Sequence, residues 1–211
     1  METETLKYAW KPFAAGALAV IAIEIAVRFA IRDPLLAAGA ARVLDAVAII
    51  AAARIFGPGA QLPGIIPPDI KSGLMRGVLW SAGFGGFAAA CGTILYLAGF
   101  DPLEMLSVNL PATTGGILVF FLIGGIISPF AEELIFRGLV FGVLRRWGFI
   151  VALLVSTAVF AWAHHTRGIP VTKAVGGLVF ALSYETEKNI VVPVVIHITG
   201  NLALFSLGLV S

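Results

Sequence analysis

Three charged side chains, Glu132, Glu133 and Arg137, stand in the stretch "SPFAEELIFRG" (128–138) of a chain that is otherwise oily. Successive helical residues point about 100° apart, so Glu132 and Glu133 face different directions. Arg137 follows Glu133 by four and shares its face, which predicts an ion pair that locks the helix. Glu132 then has no local partner. A lone carboxylate in a medium of low dielectric resists ionisation, so it needs water, a metal, or a histidine from another segment.

The chain has three histidines, all far downstream. His164 and His165 end "FAWAHH", and His197 lies in "VVIHITGN", four residues before Asn201. A His/Asn stripe on one face of an apolar helix is unsuited to lipid. The simplest account brings Glu132, His164, His197 and Asn201 together inside a bundle. A carboxylate and an imidazole can hold a water and take its proton. A histidine and an amide can donate to the oxyanion of a tetrahedral intermediate. The chemistry indicated is hydrolysis of an amide by an activated water, with no serine or cysteine nucleophile. Cys91 has no evident partner, and Ser128 reads as a helix cap. Glu132, His164 and His197 are also a zinc-ligand set by type. The spacing lacks HExxH and draws on three segments, so a divalent metal such as zinc stays open beside the metal-free reading.

The elements that must position these groups are membrane helices. Of the 211 residues 59% are hydrophobic and 12% charged, against about 25% charged in a soluble domain. The net charge of +2 gives no footprint for nucleic acid. One cysteine excludes an internal disulfide and a cysteine zinc site. Seven apolar blocks run over 9–31, 35–56, 74–99, 113–130, 149–164, 171–184 and 190–210, near or somewhat short of the ~20 residues a bilayer requires. Segment 131–147 either continues the fourth block past a kink or forms a further tilted helix. Pro129 after Ser128 predicts a break or restart there. The fold expected is an all-α, polytopic transmembrane bundle of seven or eight helices, one domain over 1–211, with the first span uncleaved.

The Pro/Gly-rich stretch 57–73 reads as a linker. The glycines of "AGFGGF" (82–87) read as sites of close helix packing. Within spans, Glu24 can pair with Arg28 and Arg42 with Asp45, which favours structural roles. Basic residues Lys7, Lys11, Arg54, Lys71, Arg76, Arg145, Arg146 and Lys188 fall on one side of a seven-crossing topology. That side is cytoplasmic by the positive-inside rule and includes the N-terminus. Arg32, Arg167 and Lys173 fall on the other.

These residues resemble a known family. "EELIFRG" matches an EExxxR motif, "FAWAH" an FxxxH motif and "HITGN" an HxxxN motif. In that order, within 128–202, they are similar to the CPBP intramembrane proteases, which include the type II CAAX prenyl proteases and the bacteriocin-processing or Abi proteins. The resemblance implies that Glu132 acts with His164 on water, that Glu133 and Arg137 support it, and that His197 and Asn201 stabilise the oxyanion. Phe160 would pack the wall of the site or serve only the core. His165 matches no motif position. The family has been read both as metal-dependent and as glutamate-type. Its eukaryotic members cut the last three residues from prenylated proteins, and prokaryotic members have other substrates. The short chain resembles a prokaryotic core enzyme. The partners implied are a hydrophobic or lipid-anchored peptide and the lipid bilayer of a cell membrane. Two other classes compete with this reading. Buried Glu and His also build proton-coupled transporters or channels, and a protease-derived bundle could serve as a non-catalytic chaperone or scaffold.

Overall fold

The computed structural model describes residues 10–56, 69–102, 106, 108–164 and 171–209. Among these, the chain forms seven helices and no strand. They are α1 (Trp10–Ala30), α2 (Pro34–Phe56), α3 (Asp69–Leu97), α4 (Thr114–Trp147), α5 (Phe149–Ala163), α6 (Val171–Glu187) and α7 (Val191–Leu207). By length and composition α1 to α4 are each able to cross a membrane, and α5 and α7 are shorter apolar helices. The molecule is an all-α membrane bundle. Most of the predicted linker lies outside the described residues, as does His165.

The predicted break at Ser128–Pro129 is absent. α4 runs as one 34-residue helix, and it absorbs the proline by widening. Ile123–Ile127 is a π-turn, and the Ser128 N–H bonds five residues back, to the carbonyl of Ile123. The wider turn relieves the clash between a proline ring and the carbonyl four residues before it. Ser128 lies within the helix and is not a cap, since Ile127 holds the cap position of its α-segment. A second π-stretch follows over Leu134–Phe141, so Glu132 and Glu133 sit on a short α-segment between two widened ones. π-turns of this kind are frequent at functional sites. The cap observed is Thr113, whose Oγ1 accepts from the Gly116 N–H at 3.1 Å. At the far end Gly148, with φ of 108°, makes the turn into α5, a conformation glycine adopts without steric cost.

α1 packs on α2, α3 along α7, and α6 between α5 and α7. The close approach of α3 to α7 is made by Gly73 and Gly77, where a Cβ would fall 2.6 Å from Val191 and Val195 respectively. The glycines expected to do this, Gly83, Gly85 and Gly86, instead face open space. Gly83 lines an apolar cleft of about 430 Å³ with Leu79, Trp80, Phe84, Phe87 and Val179. Close packing requires that a facing helix be present, and apolar sequence alone does not show which turns of a helix meet one.

The ion pairs in the first two helices also differ from expectation. Arg42 bonds Asp45 at 2.8 Å as predicted, but Glu24 turns to Arg42 at 2.6 Å, and Arg28 is exposed. One guanidinium shared by two carboxylates across the α1–α2 contact satisfies more buried charge than two separate pairs within single helices. At the other end of the bundle, Arg145 is bonded by Glu185 through Nε and Nη2, at 3.1 and 2.9 Å. Glu187 receives Arg76 and the Trp80 indole N–H, the latter at 2.9 Å. These contacts tie the end of α6 to α4 and α3.

Candidate active site

Four helices contribute to a polar cluster in the bundle. α4 supplies Glu132, Glu133 and Arg137, the last turn of α5 leads into His164, α6 supplies Gly177 and Phe180, and α7 supplies His197 and Asn201. At its centre Glu132 Oε2 lies 3.3 Å from His164 Nε2 and 3.8 Å from His197 Nε2. Both imidazoles thus address one carboxylate oxygen.

The second nitrogen of each ring fixes its tautomer. His164 Nδ1 lies 2.8 Å from the carbonyl oxygen of Phe160. A carbonyl only accepts, so Nδ1 carries a proton, and Nε2 is the ring atom turned toward Glu132. His197 Nδ1 lies 2.8 Å from Glu133 Oε1 and donates there in the same way. Glu133 is in turn held by Arg137, with Nε 3.1 Å from Oε2 and Nη1 3.3 Å from Oε1. The first is an ionic contact and the second the aligned hydrogen bond. Glu133 and Arg137 are both fully buried. The predicted i,i+4 pair is therefore present, and it has an added function as the anchor of His197.

The remaining groups of Arg137 are also engaged. Nη2 donates to the Gly177 carbonyl at 3.0 Å. The guanidinium carbon stands 4.9 Å from the Phe160 ring and 5.2 Å from the Phe180 ring, within range of cation–π attraction. Phe180 stacks on His197 with centroids 4.5 Å apart, and Phe160 lies 4.4 Å from the His164 ring. Phe160 thus touches both the imidazole and the supporting arginine. Access is graded across the cluster: Glu133 side-chain exposure is 0% and His197 4%, whereas Glu132 retains 14% and His164 21%. The Glu132–His164 edge is open to the surroundings of the bundle, and the Glu133–Arg137 base is closed to them.

Asn201 does not contact the other candidates directly through the hydrogen bond it makes. Its Nδ2 donates to the Gly124 carbonyl at 2.9 Å. The reason lies in α4. In a regular helix that carbonyl would accept from Ser128, whose N–H is diverted to Ile123, and the next residue, Pro129, has no N–H. A buried carbonyl without a donor is costly, and the Asn201 amide supplies one. One amide N–H remains.

Phe180, Gly177 and Gly124 were not singled out by sequence. "KAVGGLVF" carries a weak signal for Gly177, because paired small residues mark close approach. A Cβ on Gly177 would fall 3.1 Å from Thr157 Cγ2 and 3.2 Å from Phe160 Cδ1. The donor types Glu132, His164 and His197 suit a divalent metal. As arranged, however, no three His, Cys, Asp or Glu side chains among the described residues form a group able to hold one.

A helical bundle with a Glu/His cluster set on a widened helix defines the class as a helical membrane protein. Comparison with known proteins narrows it. Residues 114–203, somewhat under half of the chain, match the Rce1-like family, the type II CAAX prenyl endopeptidases. It is 39% identical over 93 residues to the "Membrane-embedded CAAX protease MroQ" of Staphylococcus aureus (strain USA300), a match covering 40% of this chain and 36% of that protein. It is 31% identical over 84 residues to the "Putative membrane peptidase YdiL" of Bacillus subtilis (strain 168), covering 39% of this chain and 34% of that one. The chain thus spans about a third of the length of these relatives. No solved structure matches the chain.

Proposed function

We propose that the chain is an intramembrane endopeptidase that hydrolyses a peptide bond of a hydrophobic, lipid-anchored or membrane-embedded substrate by a Glu/His-activated water. The observation that carries this reading is the single oxygen Glu132 Oε2 facing Nε2 of both His164 and His197, at 3.3 and 3.8 Å. Water held at the accessible Glu132–His164 edge gives a proton to this pair, and the hydroxide adds to the scissile carbonyl carbon. The oxyanion forms on the side of His197. With Nδ1 committed to Glu133, His197 donates from Nε2 only as the imidazolium, a form that the Glu133 carboxylate stabilises. The free amide N–H of Asn201 is the second donor. The proton from water then passes to the leaving nitrogen, the C–N bond breaks, and a carboxylate and an amine are released. No step is routed through a metal. The apolar cleft between α3 and α6, whose Trp80, Phe84 and Val179 pack against the Phe136–Phe160–Phe180 cluster, supports an apolar substrate. We take the N-terminus to be cytoplasmic, on the distribution of lysine and arginine between the loops.

The test is Glu132→Gln in the reconstituted protein. Loss of cleavage by a factor of about 10²–10⁴ is expected, with the thermal midpoint in detergent unchanged. Cleavage at the wild-type rate by Glu132→Gln would sink the mechanism.

A further inference from the structure

Lys173 lies in the first turns of α6, four residues before Gly177 and seven before Phe180. That spacing puts the three on one helix face. The face is the one turned to the site, because Gly177 accepts from Arg137 and Phe180 stacks on His197. Lys173 is half-buried, and among the described residues it has no ion-pair partner. The carboxylate whose charge reaches it is Glu132. The two other arginines of the site's surroundings are engaged, Arg137 by Glu133 and Arg42 by Glu24 and Asp45. Lys173 is thus, among the described residues, a cation without an ion-pair partner on the helix face that lines the cluster.

A half-buried ammonium with no carboxylate in ion-pair contact among the described residues is unfavourable, and Glu132 by itself repels any anionic substrate from the reacting centre. Both problems are met by a ligand that brings its own carboxylate. Resting on the proteolytic reading above, we propose that Lys173 is a specificity-determining subsite for a carboxylate of the substrate close to the scissile bond. The carboxylate is either the free end of the peptide chain or an Asp or Glu side chain.

Binding separates this from catalysis. The full chain carrying His164→Gln, which keeps Glu132, is placed in zwitterionic nanodiscs. Three fluorescent Leu/Ala undecapeptides are titrated: one with a free C-terminal carboxylate, one amidated, and one amidated with a penultimate Asp. At least one acidic peptide should bind about tenfold tighter than the amide, as for a charge-assisted hydrogen bond. Which one does so identifies the source of the carboxylate. Lys173→Met should remove the preference and Lys173→Arg should keep it. Equal binding of all three, no binding of any, or a preference that survives Lys173→Met overturns the proposal. So does a preference seen only with anionic lipid, which would assign Lys173 to a headgroup. Acid preference in a protein whose wild type cleaves nothing refutes the peptidase reading and leaves the subsite standing. Cleavage without acid preference does the reverse.

Discussion

Two buried charge clusters in this bundle use the same residue types to different ends. Between α1 and α2, Arg42 is shared by Glu24 and Asp45, and the cluster closes on itself. Arg42 and Glu24 keep 25% and 33% side-chain exposure, and Asp45 Oδ1 is left without a hydrogen-bond partner. Between α4, α6 and α7, Arg137 and Glu133 are wholly buried, and the pair continues outward: Glu133 to His197, Arg137 to the Gly177 carbonyl and two aromatic faces. The first cluster joins two helices. The second converts an ion pair into a fixed tautomer and a fixed ring plane. Buried ion pairs are weak evidence of stability in themselves, so the more fully buried cluster needs another reason to exist. Orientation of His197 is that reason.

Breaking each cluster by one substitution sharpens the contrast. Arg137→Met leaves Glu133 uncompensated in the core and should cost about 3–5 kcal/mol, together with all cleavage. Arg42→Met leaves Asp45 buried and Glu24 partly exposed and should cost about 2–3 kcal/mol, with measurable cleavage retained. Unfolding in mixed micelles reads the first quantity and a peptide-release assay the second; equal losses of both would erase the distinction. Gly177→Ala acts on the same cluster through packing. The added methyl presses on Thr157 and Phe160 and should cost about 1–3 kcal/mol, lowering the turnover rate through Phe160 and His164. A variant as stable and active as the parent would show that the α5–α6 contact does not set the geometry of the site.

Smaller effects are expected at the end of α6. Arg145 and Glu185 form a half-exposed pair, and Arg145→Ala should cost under about 1 kcal/mol, an effect that shrinks further in high salt. A larger, salt-independent loss would place this pair with the buried clusters. Smallest of all is the effect of chelation. Treatment with 1,10-phenanthroline should leave the cleavage rate within about twofold if Glu132 and His164 activate the water without a metal. Loss of activity restored by zinc would replace the water-activation scheme with a metal-centred one.

The sequence determined what depends on local spacing. Apolar blocks fixed six of the seven helices within about five residues of their observed ends, because backbone groups in lipid must be satisfied within the segment. The fourth block, read as ending at 130, instead continues to Trp147. The i,i+4 spacing of Glu133 and Arg137 fixed their pairing, since neighbours on one helix face meet in any fold that keeps the helix. The isolation of Glu132 marked it as needing a distant partner. Tertiary structure decided which partner, and much else. Glu24 had two arginines within reach, one on its own helix and one on the next, and packing chose the latter. Glu133 gained His197 from 64 residues away. Asn201 was drawn to Gly124 by a carbonyl orphaned through a π-turn and a proline, neither of which leaves a periodic trace. Packing likewise chose Gly73 and Gly77 over Gly83, Gly85 and Gly86. Contacts between helices depend on their rotation and depth, which hydropathy leaves free, and only the assembled bundle sets them.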